Sequence, residues 1–479
     1  MSNLLTSLAS SANALRVFER ALVVSQNNVA NASTQGYAKQ RLSLEAAQFD
    51  PAVGLIGGLR AGEVLTARDQ YAEQAVRRQL ESLGYHSQMA ESLAAIESVF
   101  DVTGDQGIVG ALNELFTSFS AWSLEPDSNT ARQAVLEKAQ SLAQSFAQAS
   151  TSLERAFVDT GRQIRETVER VNQIGAELRE YNTALRQGGQ DDAGLDTKVQ
   201  NALEELSELV SFTTLRQEDG SVTVLLGGQT PLLIGEHLYS LRISFDTPSD
   251  PPPDYPGAAA PARLLGGDGQ EITQQISGGR LAGLIDVRNT VLPSLAGDAY
   301  HVGDLNVLAK SVADRINQIL AAGNVSDGPP PVAGAPLFTY DATNDARAAA
   351  TFALDPGITA AKLAAISPGP PYVSNGAALQ LASLASPQDE ADRIDGFSYV
   401  EYYGRIAGNV GRLLTDAENA KDFKTQMVTQ ARSLRTELSG VSLDEEAIRI
   451  VEFQRAYQAN AKMISVLSDL TEIALGLLG

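Results

Sequence analysis

The chain has 479 residues, 43% of them hydrophobic but only 6% aromatic, with a formal net charge of −22. At ~150 residues per domain that length predicts about three units, and the shortage of rings leaves Ala, Leu, Val and Ile to build cores, which suits helix-on-helix packing. The acid excess opposes binding to phosphate backbones, and the absence of cysteine excludes disulfides and thiolate metal sites.

The N-terminus has no basic segment leading into an apolar run, so no cleavable signal peptide is expected. No stretch approaches the ~20 apolar residues of a membrane span. Apolar or small residues instead recur at Leu4, Leu8, Ser11, Leu15, Phe18, Leu22, Ser25 and Val29. Steps of four and three alternate there, which is the seam of a heptad helix. Two serines make the stripe narrow, and such a helix is marginal alone in water. Behind it, QNNVANASTQGY at 26–37 predicts a helix stop and a turn that needs left-handed backbone.

After Tyr37, AKQRLSLEAAQF and GLIGGLRAGEV predict short extended pieces and turns. Helical periodicity resumes over 69–100 and 107–122. Between them DVTGDQGIVG has spaced glycines without a preceding strand, so it reads as a turn and not a phosphate loop. Pro126 and the capping run Asp127 to Thr130 start a helix reaching about Arg186. At ~1.5 Å per residue it would measure ~80–90 Å, with Gly161 and Gly175 as points of bending.

A shorter helix ends near Val210. Strands are predicted at Phe212–Arg216 and Val222–Leu226 around an Asp219-Gly220 turn, and again at Leu238–Phe245. TPSDPPPDYPGAAAP can only be a surface loop. Helix returns at Leu305–Leu320 and over 397–438, with irregular chain at 325–371 between two proline-rich runs.

Ser439-Gly440 interrupts the helix, and Ser442 with Glu445 makes a capping-box pattern. The last helix then aligns Ile450, Phe453, Tyr457, Asn460, Ile464, Leu467, Thr471, Ala474 and Leu478 on one seam. Residues 1–44 carry a net +3 and residues 440–479 a net −3. The two ends are therefore expected to pair as a coiled coil, with charge setting register more than stability. The predicted fold is mainly α with a small β insertion, elongated and multi-domain. Its expected parts are an inner terminal-helix domain (1–44 plus 439–479), a helical-bundle body (45–210 plus 287–438), a β-rich insertion (211–286) and the Pro-rich segment 325–371.

The stretch NNVANASTQGYAKQ, through Asn28, Asn31, Thr34, Gly36 and Tyr37, resembles the N-terminal signature of the bacterial flagellar axial proteins. That family comprises rod, hook and hook-associated proteins. SGVSLDEEAIRIVEFQRAYQANAKMI resembles its C-terminal signature through Gly440, Val441, Leu443, Asp444, Glu445, Glu446, Phe453, Gln454, Tyr457, Ala459 and Asn460. Long helices before the β insertion look like the hook–filament junction members, with fainter likeness in LDTKVQNALEELSELV and ISGGRLAGLIDVRN.

The resemblance implies a structural protein, not an enzyme, exported by the flagellar type III apparatus and located at the hook–filament junction. Its terminal helices would line the axial tube in a ring of copies, between the hook protein and a second junction protein. An export chaperone, FlgN in this family, would bind the C-terminal helix. Segment 325–371 would stand as a reduced outer domain. A hook or distal-rod protein, or a secreted adhesin, is the alternative.

No catalytic, cofactor or metal site is expected. His86, His237 and His301 lack metal-ligand spacing, and neither a nucleophile elbow nor a P-loop occurs. Asp444-Glu445-Glu446 is read as complementing a helix dipole, with no bound cation. Trp122, Tyr402 and Tyr403 are read as core or subunit-contact residues, and neither nucleic acid nor membrane is an expected partner.

Overall fold

The computed structural model describes residues 2–50, 55–100, 107–189, 192–328 and 330–476. Helix α1 (Ser2–Ala30) leads into a hairpin of β1 (Gln40–Asp50) and β2 (Leu55–Thr66), followed by α2 (Gln70–Glu97) and α3 (Gly107–Leu124). The hairpin replaces the short pieces expected from the glycine-rich run, with strands of 11 and 12 residues in antiparallel register. Its length is set by a surface that sequence does not reveal, because the hairpin lies along α1. It therefore packs with the terminal helix, across the boundary expected at residue 45. Residues 101–106 of the predicted glycine turn lie outside the described residues.

Helix α4 (Asn129–Arg186) runs unbroken for 58 residues, about 87 Å at ~1.5 Å per residue. Ser128 caps it by accepting the Ala131 N–H. Gly161 and Gly175 do not interrupt it. Each admits a neighbour instead: Arg288 lies against Gly161, and Leu232 and Leu238 lie against Gly175.

Helix α5 (Ala193–Leu209), capped by Asp192, precedes a four-stranded antiparallel sheet. Its strands β3 (Phe212–Arg216), β4 (Val222–Leu226), β5 (Thr230–Ile234) and β6 (His237–Leu238) follow chain order. The strand expected across Leu238–Phe245 breaks in two, since β7 (Arg242–Ser244) pairs with β8 (Arg263–Leu265). At the break the Asn172 side chain on α4 takes both backbone groups of Leu241, at 2.8 and 3.0 Å.

The chain continues through α6 (Gly279–Asp286), a π-turn at Val287–Val291, α7 (Leu292–Ala296) and α8 (Asp304–Ala322). Two short pairs follow, β9 (Asn324–Ser326) with β10 (Val332–Ala333) and β11 (Phe338–Thr339) with β12 (Ala353–Leu354), enclosing α9 (Ala348–Thr351). Helices α10 (Gly376–Ser383), α11 (Tyr399–Ser439) and α12 (Leu443–Gly476) complete it.

Two apolar cores share α4. Its N-terminal half packs Phe146 and Leu153 with Leu112 of α3, Ile316 of α8 and Tyr402 of α11. Its C-terminal half packs Ile164 and Leu178 with Leu206 of α5, Val224 of the sheet and Leu284 of α6. Trp122, Tyr402 and Tyr403 are buried in the first core. Segment 325–371 also contributes Leu337, Phe338, Phe352 and Leu363 to that core, so it forms part of the body and does not stand outside it. Its apolar residues follow no helical or strand period, so sequence pattern alone marks the segment as irregular.

Phe352 centres a ring cluster, 4.9 Å from Phe146 and 4.6 Å from Phe338. Phe352→Ala is expected to remove about 3–4 kcal/mol from the unfolding free energy, measured by urea denaturation followed by circular dichroism. A loss below about 1 kcal/mol would place the segment outside the body core.

Candidate assembly joint

Helix α1 packs against both the hairpin and α12. Ser11, Ala14, Val17, Ala21, Ser25 and Asn28 form the buried face of α1, spaced at helical period. Ser10 Oγ and Asn13 Nδ2 donate to Gly57 O and Leu59 O, at 3.2 and 2.8 Å.

The leucine-rich seam lies beside that face. Leu4, Leu8, Leu15, Phe18 and Leu22 are half-buried, while Val29 is exposed. On α12 the half-buried residues are Ile450, Phe453, Asn460, Ile464, Leu467 and Thr471, with Tyr457 at the exposed edge. The Phe18 and Phe453 rings meet at 6.4 Å, so the two seams face each other. Asn460 Nδ2 turns back to Ala456 O on its own helix. The Ala474 side chain and Leu478 lie outside the described residues.

Two helices and a hairpin cannot enclose a core. Apolar side chains stay in solvent on α1 (Leu5, Val23) and along α12 (Ile448, Val451, Val466, Leu470, Ile473). The complementary charges do not form a ladder along the seam. Among the described residues, one ion pair joins the two terminal segments, Lys39 to Glu445 at 3.7 Å, and it sits at the base of the helices.

That base is organised by Asn28, which is fully buried. Its Nδ2 donates to Gln40 O at 2.8 Å, and its Oδ1 accepts from Gln40 N–H at 2.9 Å and from Tyr37 Oη–H at 3.0 Å. One amide thus behaves as an extra strand residue and fixes where β1 begins. Asn31 closes the helix end by donating to Asn27, and Thr34 Oγ1 donates to Asn31 Oδ1 at 3.2 Å. Gly36 takes φ +75°, and an added Cβ there would stand 2.1 Å from Asn201 Oδ1. The turn residue is glycine for both reasons.

The C-terminal signature meets this turn. Gly440 ends α11, where an added Cβ would crowd Thr436 O. Lys39 N–H donates to Ser439 O, and Asp69 N–H to Ser439 Oγ, at 2.9 and 3.0 Å. The three acids read together as dipole partners separate in space. Leu443 and Asp444 are exposed, Glu445 faces Lys39, and Glu446 is fully buried, pairing with Arg449 at 3.3 Å. Burial, followed by the Glu446 charge, raises the Tyr37 hydroxyl above its ordinary value.

Beneath the turn lies an ion network that the sequence did not disclose. Arg68, buried, donates to Gly36 O at 2.9 Å, to Glu73 at 2.5 Å and to Asp196 at 2.8 Å. Arg216 shares Asp196 at 3.1 Å. Arg435 bridges Glu204 at 2.6 Å and Glu73 at 3.4 Å, and Arg432 Nε reaches Glu204 at 3.0 Å. Bonded partners in it lie as far as 362 residues apart in sequence, so no spacing rule links them. Arg68, Glu73, Arg432 and Arg435 line a cavity of about 460 Å³ together with Ser33–Tyr37 and Val441.

Burial pushes the Glu204 carboxyl up, but hydrogen bonds and charge from Arg435 and Arg432 outweigh this and hold it below the usual range. A lowered folded value means the contribution is complete above the ordinary carboxylate pKa and is lost as pH falls through the folded one. The stability gap between the wild type and Glu204→Gln should therefore be wide at neutral pH and close below ~pH 4. Urea denaturation across that range measures it; an unchanged gap at low pH would assign the effect to packing.

Among the described residues no helix is long and apolar enough to cross a membrane, and no group of three or more metal-ligating side chains occurs. Residues 93–338, just over half the chain, match a family model described as the flagellar hook-associated protein FlgK helical domain. Residues 432–477 match one described as the flagellar basal body rod FlgEFG protein C-terminal. The chain is 26% identical over 507 residues to flagellar hook-associated protein 1 of Bacillus subtilis (strain 168), covering 98% of each. A solved structure, the flagellar hook junction protein FlgK from Burkholderia pseudomallei, shares the fold with a TM-score of 0.63 at 15% identity. That likeness covers 77% of this chain and all of the other. The rod-type match falls on the end of α11 and on α12, whereas the larger match spans α3, α4, strands β3 to β10 and α8. On that larger match, the chain belongs to the FlgK family of flagellar hook-associated proteins.

Proposed function

We propose that the protein is a noncatalytic link between flagellar hook and filament, one of a ring of its own copies. Its neighbours are the hook protein on one side and a second junction protein on the other. The observation that carries this reading is the incomplete inner pair: α1 and α12 leave apolar stripes in solvent, rooted on a joint fixed by buried ionic and amide contacts. Neighbouring subunits would cover those stripes. Narrow seams also suit export in an unfolded state through the flagellar type III apparatus, with ordering offset later by the interface. The exposed side of α12 suits the export chaperone FlgN before secretion.

The match of residues 432–477 to a rod-protein model favours a hook or rod subunit as the second reading. The two differ in phenotype. Loss of a junction subunit leaves hooks formed while filament subunits are shed into the medium; loss of a hook or rod subunit removes that structure itself.

Phe18→Asp and Ile464→Asp each place a charge on the facing seams. Each is expected to leave the circular-dichroism melt of the body within about 1 kcal/mol of wild type. Both should abolish motility and the narrow band of antibody label between hook and filament in electron micrographs. Swimming at wild-type speed in either variant would end the coiled-core reading.

A further inference from the structure

Where α4 passes from one core to the other, a cation is buried with no carboxylate partner among the described residues. Arg288 lies in the π-turn between α6 and α7 and is 8% exposed. It lodges against Gly161, where an added Cβ would stand 3.2 Å from Nη1. A glycine inside a long helix weakens it, and here it makes room for the guanidinium.

The rings of Phe157 and Phe245 cover that group at 5.4 and 4.6 Å. Its Nη1 and Nη2 donate to Phe157 O and Ala260 O. These contacts satisfy donors but bring no negative charge. Burial, and then repulsion from Arg165, lower the guanidinium to about 10. Its Nε–H is buried with no hydrogen-bond partner among the described residues.

Arg288 also lines a cavity of about 460 Å³, between α4, the loop at Gly257–Ala259, Gly297 and the start of α9. Arg347 stands exposed at the rim, where it also acts on Asp341. Glu154 is the carboxylate in the wall, and among the described residues no ion pair joins it to either arginine. Unpaired buried charge is strongly unfavourable, and a planar guanidinium edge is matched by the two oxygens of a carboxylate.

We propose that this cavity binds a single carboxylate group, held by Arg288 at its inner wall and by Arg347 at its rim. The Nε–H takes one oxygen, and the small residues of the mouth, Gly257, Ala258 and Ala350, leave room for the rest of the ligand. The carboxylate belongs either to a small acid in solution or to an acidic side chain of a second copy.

Titration calorimetry of the full chain with sodium acetate, against sodium chloride at equal ionic strength, separates the two sources. Saturable binding of one acetate, weakened about tenfold or more in Arg288→Met and severalfold in Arg347→Gln, supports a free acid. No acetate heat, but self-association in sedimentation velocity that Arg347→Gln weakens, supports the side chain of a second copy. Arg347 is on the surface, so its variant tests the site even if Arg288→Met fails to fold. Absence of both effects, or effects unchanged by Arg347→Gln, overturns the proposal.

Discussion

Arg68 joins the terminal segments to the rest of the chain. Its guanidinium reaches the turn behind α1 through Gly36 O, the start of α2 through Glu73 and the start of α5 through Asp196. Buried ions are unfavourable singly, and they persist here because Arg216 shares Asp196 and Arg435 shares Glu73, while Arg435 and Arg432 together hold Glu204. Backbone bonds from Lys39 and Asp69 to Ser439 close the arrangement. An inner pair lacking a core of its own takes its orientation from this junction.

Beyond the joint, stiffness comes from sharing. Because α4 packs in both cores, the sheet and α5 at one end and the α3–α8–α11 bundle at the other cannot shift without moving a common helix. Long α2 and α11 lie side by side and add Val76, Leu80 and Val428 as a third, small cluster. Interiors packed to such density transmit displacement with little compression. A body built in this way suits the proposed mechanical role between two tubular structures.

The inner pair follows the opposite logic. Alanine and serine make up much of the buried face of α1 and give up apolar area there, and the larger leucines are left half-covered on its flank. At ~25 cal/mol per Å² of apolar surface, that uncovered area is free energy still available to an interface. The same stripes that leave the isolated helices marginal would drive their packing in an assembly.

Much was legible in the chain. Helical period, the Ser128 and Ser442 caps and the left-handed turn at Gly36 depend on residues within a few positions of each other, and local backbone geometry reads them directly. On α12 period alone decides which residues share a face, and Ile450, Phe453, Ile464 and Leu467 of the expected seam are half-buried while Tyr457 is exposed. The tertiary structure decided what covers each face. It showed that Ser11, Ala14 and Ala21 are buried more deeply than the leucines, that Glu446 parts from Asp444 and Glu445, and that Phe352 belongs to the core. It also brought together Arg68, Glu73, Asp196, Glu204 and Arg435. Those outcomes rest on which distant segment arrives, and a residue's neighbours in sequence carry no record of its neighbours in space.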